Sequence, residues 1–375
     1  MIGLERIRRV GRLGSTSVGV DIDRGAIKAV ELSLRGGEYV LRHVGYHRLP
    51  PGTIVDGEVA DQRLLSEEIS EFWDAHGFGK KSVILGIANR NVVARVLDFP
   101  PLSPEDLDGA VQYEAEDHIP LPLDESILDH VVLGPRGDPG GGDRVLLVAA
   151  LKSMVGRYTA AAREGGLRAV GVDVKGLALT RSAIPLDFFG EEGAVVLLDV
   201  GTEISNLVVA EGEVPVLTRF ISLGLSNFVA SVADATDLSD DEAERRALDP
   251  RTGLGDEPDE EAEGGDDPSW DPALAYDARR GLEDVAGELA EEVRRSVEHH
   301  HAQAGARRVT RVVLSGEGAL ISGLHVHLEG LLEIPTQRAR PTDRISANRS
   351  NVSDEQLGAM EPVLAIAIGL AMEEA

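Results

Sequence analysis

Residues Val195–Gly224 read VVLLDVGTEISNLVVAEGEVPVLTRFISLG, and the fold follows from how they alternate. Val195–Leu198 and Val200 are apolar, with Asp199 the one acid among them. Gly201 and Thr202 follow, then two alternating segments, Ile204–Ala210 and Val214–Ile221, separated by Glu211-Gly212-Glu213. The pattern predicts a strand, a polar turn carrying a carboxylate, and strands folding back on the first. Such a turn suits phosphate or Mg²⁺. Gly201 lets backbone N–H groups approach, Thr202 offers a hydroxyl, and Asp199 can hold metal-bound water. The same residues also close ordinary sheet turns, so the motif alone is weak.

A second copy strengthens it. Val18–Leu34, VGVDIDRGAIKAVELSL, repeats the plan: an apolar strand, Asp21, a polar turn, then Ile27–Leu32 with Lys28 on the turn side. Two such units far apart in one chain predict a two-lobed α/β protein with an internal duplication, each lobe aiming a carboxylate at a shared cleft.

Composition bounds the function. A length of 375 residues suits two or three domains. The net charge of −28 repels nucleic acid. No cysteine is present, which excludes disulfides, thiolate catalysis and Cys-ligated zinc and makes the cytoplasm the expected compartment. Met1–Ser15 is basic without the continuous apolar core of a secretory signal. The apolar run Val363–Met372 falls short of the ~20 residues that span a bilayer.

The arm 1–15 sets Ile2, Leu4, Ile7, Val10 and Leu13 among Arg6, Arg8, Arg9 and Arg12; it reads as a frayed terminus or a weakly amphipathic lipid-binding helix. A first lobe is expected over 16–193. Within it Ser103 caps a helix running to His118, Pro120 and Pro122 cut it, and strands at Ser126–Leu133 and Arg144–Leu151 complete a small α+β insert over 100–151. A second lobe is expected over 194–352, and residues 353–375, with a helix at Pro362–Met372, return to close the first. Asp249–Pro272 holds ten acids and one Arg over Asp249–Asp271 and is read as a disordered acidic loop. Leu282, Val285, Leu289, Val293 and Val297 mark a long helix ending in His299-His300-His301, read as solvated. Val309–Leu314 is a strand feeding Ser315-Gly316-Glu317-Gly318 into a helix near Ala319, an arrangement that often approaches nucleotide.

In this order the pieces resemble the ATPase fold shared by actin, heat-shock chaperones and hexokinase: a two-lobed, actin-like, duplicated ribonuclease-H-like fold. Gly109–Glu125 (GAVQYEAEDHIPLPLDE) and Val148–Leu179 narrow this, being similar to the PilM family of type IV pilus assembly proteins, relatives of the division protein FtsA. The resemblance covers nearly the whole chain except the arm and the acidic loop. It implies a ring- or filament-forming homo-oligomeric adaptor at the inner face of the cell membrane. Its partner would be the cytoplasmic N-terminal peptide of a bitopic PilN-like protein, held near Val111, Tyr113, Ile119, Pro120 and Leu121. Membrane contact would be indirect or through the arm.

The resemblance also implies ATP with Mg²⁺, with Asp21 and Asp199 as the metal-side acids. The nucleotide positions would be Asp21, Asp23, Arg24, Lys28, Asp199, Gly201, Thr202, Ser205, Gly224, Glu244, Gly316, Glu317 and Gly318. Here the chain departs from the family pattern. Asp23 and Arg24 replace Gly and Ser/Thr in the first turn. Leu225 follows Gly224 where a second Gly is usual. The segment Ala243–Ala247 lacks its Lys, and Glu317 interrupts a Gly triplet. Only the turn around Asp199-Val200-Gly201-Thr202 with Ser205 is nearly intact. Weakened or lost ATP binding is therefore expected, with no residue placed as general base. The alternatives are an active ATPase of this fold and an FtsA-like polymer on membrane.

Overall fold

A computed structural model describes residues 16–135, 142–189, 192–255, 271–303 and 305–372. The arm Met1–Ser15, Trp270 and residues 256–270 of the acidic loop lie outside these.

The chain opens with β1 (Thr16–Ile22), β2 (Ala26–Arg35) and β3 (Glu38–Arg48), then the short pair β4 (Ile54–Val55) and β5 (Glu58–Val59), α1 (Gln62–His76) and β6 (Ser82–Ile87). Helix α1 starts where Asp61 accepts the Leu64 N–H and stops at Gly77, whose φ of 69° is left-handed. Next come β7 (Val92–Phe99), α2 (Pro104–His118), β8 (Ser126–Pro135) and β9 (Asp143–Leu151), followed by α3 (Lys152–Glu164), β10 (Arg168–Val174) and α4 (Lys175–Ala183). The second half runs β11 (Ala194–Val200), β12 (Ser205–Glu211), β13 (Val214–Ile221), α5 (Leu225–Thr236), α6 (Asp240–Ala247), α7 (Pro272–His301), β14 (Val309–Ser315), α8 (Leu324–Leu332) and β15 (Thr336–Arg338). Finally β16 (Ile345–Asn348), α9 (Asp354–Met360) and α10 (Ala365–Ala371) return to the first half.

Two sheets repeat one plan. The first has the order β10-β6-β1-β2-β3-β16 and the second β13-β12-β11-β14-β15. In each, the central strand pairs antiparallel with the next strand in sequence and parallel with a later one. The registers correspond: Asp21 lies opposite Lys28 and beside Gly86, while Asp199 lies opposite Asn206 and beside Ser315. Ligands of open α/β sheets gather beyond such strand ends.

Helices α4 and α10 join the halves. Ile84 of the first sheet, Val195, Leu197 and Val208 of the second, and Ala178, Ala365, Ile366 and Leu370 of the two helices form one buried cluster. The backbones approach closely: a Cβ on Gly369 would lie 1.9 Å from the Ala178 carbonyl oxygen. The small residues of the last helix are therefore set by contact distance. That helix is shorter than its apolar run, because Glu361–Leu364 is a 3₁₀ turn and the α-helix begins at Ala365.

Four expectations need correction. The insert begins at Val92 rather than Pro100, because β7 pairs with β9 in a β7-β9-β8 sheet of its own. The start of the acidic segment is ordered: Asp249 accepts from Arg251, Thr252 and Leu254 are buried, and Leu254 N–H donates to Ser322 O at 2.7 Å. His300 is buried and bonds the Arg307 carbonyl at 2.9 Å, because it falls on the apolar face of α7. After β14 the chain makes a 3₁₀ turn at Glu317–Leu320, and the α-helix waits until Leu324.

Candidate functional site

Both turns singled out in the sequence meet between the lobes. Asp21, Asp23, Arg24, Asp199, Gly201 and Thr202 line one cleft together with Lys175 and Asn206. Its chemistry is dominated by two ammonium groups. Lys28 Nζ lies 3.0 Å from Asp21, 2.7 Å from Asp23 and 2.7 Å from Glu317. Lys175 Nζ lies 2.6 Å from the other Asp21 oxygen and donates to Ile22 O at 2.7 Å. Asp23 accepts from Gly25 N–H at 2.8 Å and Ala26 N–H at 3.0 Å, so its side chain fixes the turn that a glycine would otherwise allow. Asp199 accepts from Ser315 at 3.0 Å and Asn206 at 3.3 Å.

Burial and charge pull these groups in opposite directions. Burial raises Asp21, but Lys175 and Lys28 outweigh it and hold the carboxyl at about 2. Burial would lower Lys28; the facing acids Asp21, Asp23, Glu317 and Asp199 instead raise it well above the ordinary lysine range. Glu317 rises to about 7, from burial first and Asp23 second, with Lys28 opposing. Burial also raises Asp199. Four carboxylates thus surround two ammonium groups, and the surplus acid is kept partly protonated by its environment.

Around the cleft, charged contacts tie the lobes together. Lys28–Glu317 is buried, Arg24 donates to Glu203 at 2.8 Å, and Arg48 makes a double contact with Glu244. The turns also touch directly: a Cβ on Gly25 would lie 2.2 Å from the Thr202 hydroxyl, so only glycine permits this approach.

The remaining nucleotide candidates serve the fold here. Ser205 is buried and donates to Leu223 O. Gly201 O and Thr202 O accept the Leu225 and Ser226 N–H groups at 2.9 and 2.8 Å, which occupies the amino end of α5, and Gly224 packs on that turn. Gly316 (φ +83°) and Gly318 lie against Val200, where a Cβ on either would come within 2.4 Å.

A magnesium nucleotide does not fit this arrangement. The cleft leaves a cavity of about 30 Å³, room for about one or two waters, whereas small-molecule sites begin near 300 Å³. Both Asp21 oxygens face ammonium groups, and the place of a cation among the acids is taken by Lys28. Among the described residues no three His, Asp or Glu side chains are placed to hold a metal ion.

Sequence reasoning missed Lys175, Asn206 and Arg48. The duplication was the available signal for Asn206, which sits opposite Asp199 as Lys28 sits opposite Asp21. Lys175 was signalled only by a lysine at the carboxyl end of an apolar strand. The five peptide candidates on the insert divide. Val111 and Ile119 are buried in the insert core with Leu107, Ala115 and Leu147, because they fall on the inner face of α2 and its cap, so they present no surface. Leu121 packs at the edge of that core, Pro120 is exposed, and Tyr113 is 70% exposed.

The comparisons with known proteins agree with the fold. A family model described as type IV pilus assembly protein PilM matches residues 19–257 and 277–375. A solved structure described as a PilM–PilN type IV pilus biogenesis complex is 27% identical with a TM-score of 0.76, over 95% of this chain and 97% of that one. The ethanolamine utilization protein EutJ from Carboxydothermus hydrogenoformans is 13% identical at a TM-score of 0.54, over 96% and 90% of the two chains. MreB5 of Spiroplasma citri, solved bound to ADP, is 11% identical at 0.54, over 94% of each. The last two share the fold alone, and the architecture is actin-like.

Proposed function

The chain belongs to the PilM family of type IV pilus assembly proteins, and we propose that it acts there as an adaptor whose cleft is held by its own ion pairs. In this reading the insert receives the cytoplasmic N-terminal peptide of a PilN-like inner-membrane protein at the cell membrane's inner face. The observation that carries it is the near-full-length similarity to a chain solved in a PilM–PilN complex. Exposed Tyr113 and Pro120, with half-buried Leu121, offer an apolar rim where such a peptide can lie extended. Val111 and Ile119 support that rim from within.

Nucleotide is dispensable to this role. The tight cleft, the surplus of acids and the Lys28 contacts all oppose a triphosphate. A second reading, an ATP-dependent member of the same fold, draws on the nearly intact Asp199–Thr202 turn. One titration series separates them. The adaptor binds a synthetic peptide of the neighbouring bitopic protein's N-terminus with or without MgATP, loses about tenfold in affinity with Tyr113→Ala, and shows no heat with MgATP at millimolar concentration. Absence of peptide binding refutes the adaptor; peptide binding that requires MgATP favours the second reading.

A further inference from the structure

The short hairpin β4–β5 is bonded to the second lobe, to α3 and to the insert. Its turn is Asp56-Gly57, with φ of 51° and 70°, the left-handed pair that a two-residue hairpin turn requires. At the tip, Asp56 N–H donates to Glu203 Oε2 of the second lobe at 3.1 Å, while Glu203 Oε1 accepts from Arg24 at 2.8 Å. Gly57 is wedged between the lobes. A Cβ there would lie 2.7 Å from the Ala88 carbonyl oxygen and 3.7 Å from Ile204 Cδ1. From α3, Tyr158 donates to Gly57 O at 3.1 Å and Arg157 to Val59 O at 3.2 Å.

The hairpin reaches the root of the insert through two asparagines. Asn91 Nδ2 donates to Glu58 Oε1, and Asn89 Nδ2 to Asp56 O and Gly57 O at 3.4 and 3.5 Å. Both stand where the insert leaves the first lobe. Asn89 O accepts the Val92 N–H at 3.0 Å, at the start of β7, and Asn91 O accepts the Leu151 N–H at 3.2 Å, at the end of β9. Val92 and Ala150 are rooted in the apolar core of the first lobe. The second lobe meets this root from β13. Phe220 packs against the same core, and Thr218 donates to Ala94 O of β7 at 3.1 Å.

We propose that β4–β5 is a strap that couples closure of the two lobes to the setting of the insert, with Glu203 as its catch. By chain path alone the insert would ride on the first lobe, because Val92 and Leu151 both join it there. The strap gives the insert root a second tie, across the cleft. One carboxylate holds both Arg24 and the Asp56 N–H, so two charge-assisted bonds are released together when the lobes part. The root then keeps its apolar packing and loses the far anchor of the Glu58–Asn91 bond. Coupling of this kind is reciprocal: a ligand that prefers one setting of the insert also biases the lobes. That the ligand is a peptide rests on the adaptor reading; the strap itself does not.

Hydrogen exchange on the full chain, read by mass spectrometry, tests the strap without any peptide, so its result is separate from that of the peptide titration. Glu203→Ala is expected to speed exchange about fivefold at residues 54–59 and also at the insert root, residues 92–96 and 147–151. Residues 27–32 of β2 keep the parent rate. Asn91→Ala, at the other end of the strap, speeds the root by a similar factor. The two ties act in series, so the double variant exchanges no faster at the root than the faster single variant. Glu283→Ala, which removes the Arg279 ion pair on α7, leaves all these segments unchanged and controls for the loss of an ion pair elsewhere. Faster exchange confined to residues 54–59 would make the hairpin a cover over the cleft and overturn the coupling. Effects that multiply in the double variant, to about 25-fold, would mean two independent contacts and overturn it as well. Equal acceleration of β2 would report a general loss of stability and remove Glu203 from the role of catch.

Discussion

Replacing Glu317 by Gln should stabilise the protein above neutral pH, although it deletes one end of an interlobe ion pair. Glu317 Oε1 accepts from Lys28 at 2.7 Å, while Oε2 is buried with no hydrogen-bond partner among the described residues. Lys28 keeps Asp21 and Asp23 when Glu317 is neutral. The carboxyl is raised from its ordinary 4.5 to about 7 in the folded chain by burial and by Asp23. Between these values the folded state holds a proton that the unfolded state has released, so stability falls as the pH rises from 4.5 through 7. The shift corresponds to about 3 kcal/mol at about 1.4 kcal/mol per pH unit. Glutamine has the shape of the protonated acid and no titration. The two proteins should therefore match within about 0.5 kcal/mol near pH 4, and Glu317→Gln should be more stable by about 3 kcal/mol near pH 8. Urea midpoints with a shared m-value, followed by circular dichroism at both pH values, measure the difference. A variant less stable than the parent near pH 8 would refute the reasoning. It would mean that Lys28–Glu317 attraction exceeds the cost of burying the second charge.

Gly25→Ala should force the two turns apart and cost about 1–3 kcal/mol by urea unfolding. Adding Thr202→Ala should recover part of that, and a double-mutant cycle with no coupling would show that the turns do not touch. Gly369→Ala places a methyl 1.9 Å from the Ala178 carbonyl and should lower stability by about 3 kcal/mol; an unchanged melting temperature would contradict the packing of α10 on α4. Val111→Ala should destabilise the insert by about 2 kcal/mol while Tyr113→Ala changes stability by less than about 0.5 kcal/mol. Hydrogen exchange of β9 amides distinguishes the two.

The tie between the lobes is made by side chains of the chain itself. Lys28 stands among three carboxylates at 2.7–3.0 Å, Arg24–Glu203 and Arg48–Glu244 flank it, and α4 with α10 provides the apolar joint behind it. MreB5 of Spiroplasma citri, which shares the fold, was solved bound to ADP. In this chain Asp23, Glu317 and Glu244 each bind a cation of the protein itself. Asp23 and Glu317 stand where the sequence departs from the family pattern, and both of these departures contact Lys28.

Local pattern determined much of the protein. Alternation around Asp21 and Asp199 gave both central strands, the duplication gave the two lobes, and Ser103 with Pro104 gave the start of α2, because these features depend on neighbours within a few positions in the chain. The cation–carboxylate cluster needed the tertiary structure. Lys28 reaches Glu317 and Lys175 reaches Asp21 only after two sheets have packed on α4 and α10, and nothing local in the sequence encodes distances between residues more than a hundred positions apart. The same holds for Val111 and Ile119 against Tyr113. The sequence marks all three as apolar or aromatic, but the insert's packing decides which are core and which meet solvent, because burial belongs to the assembled faces and not to the residue type.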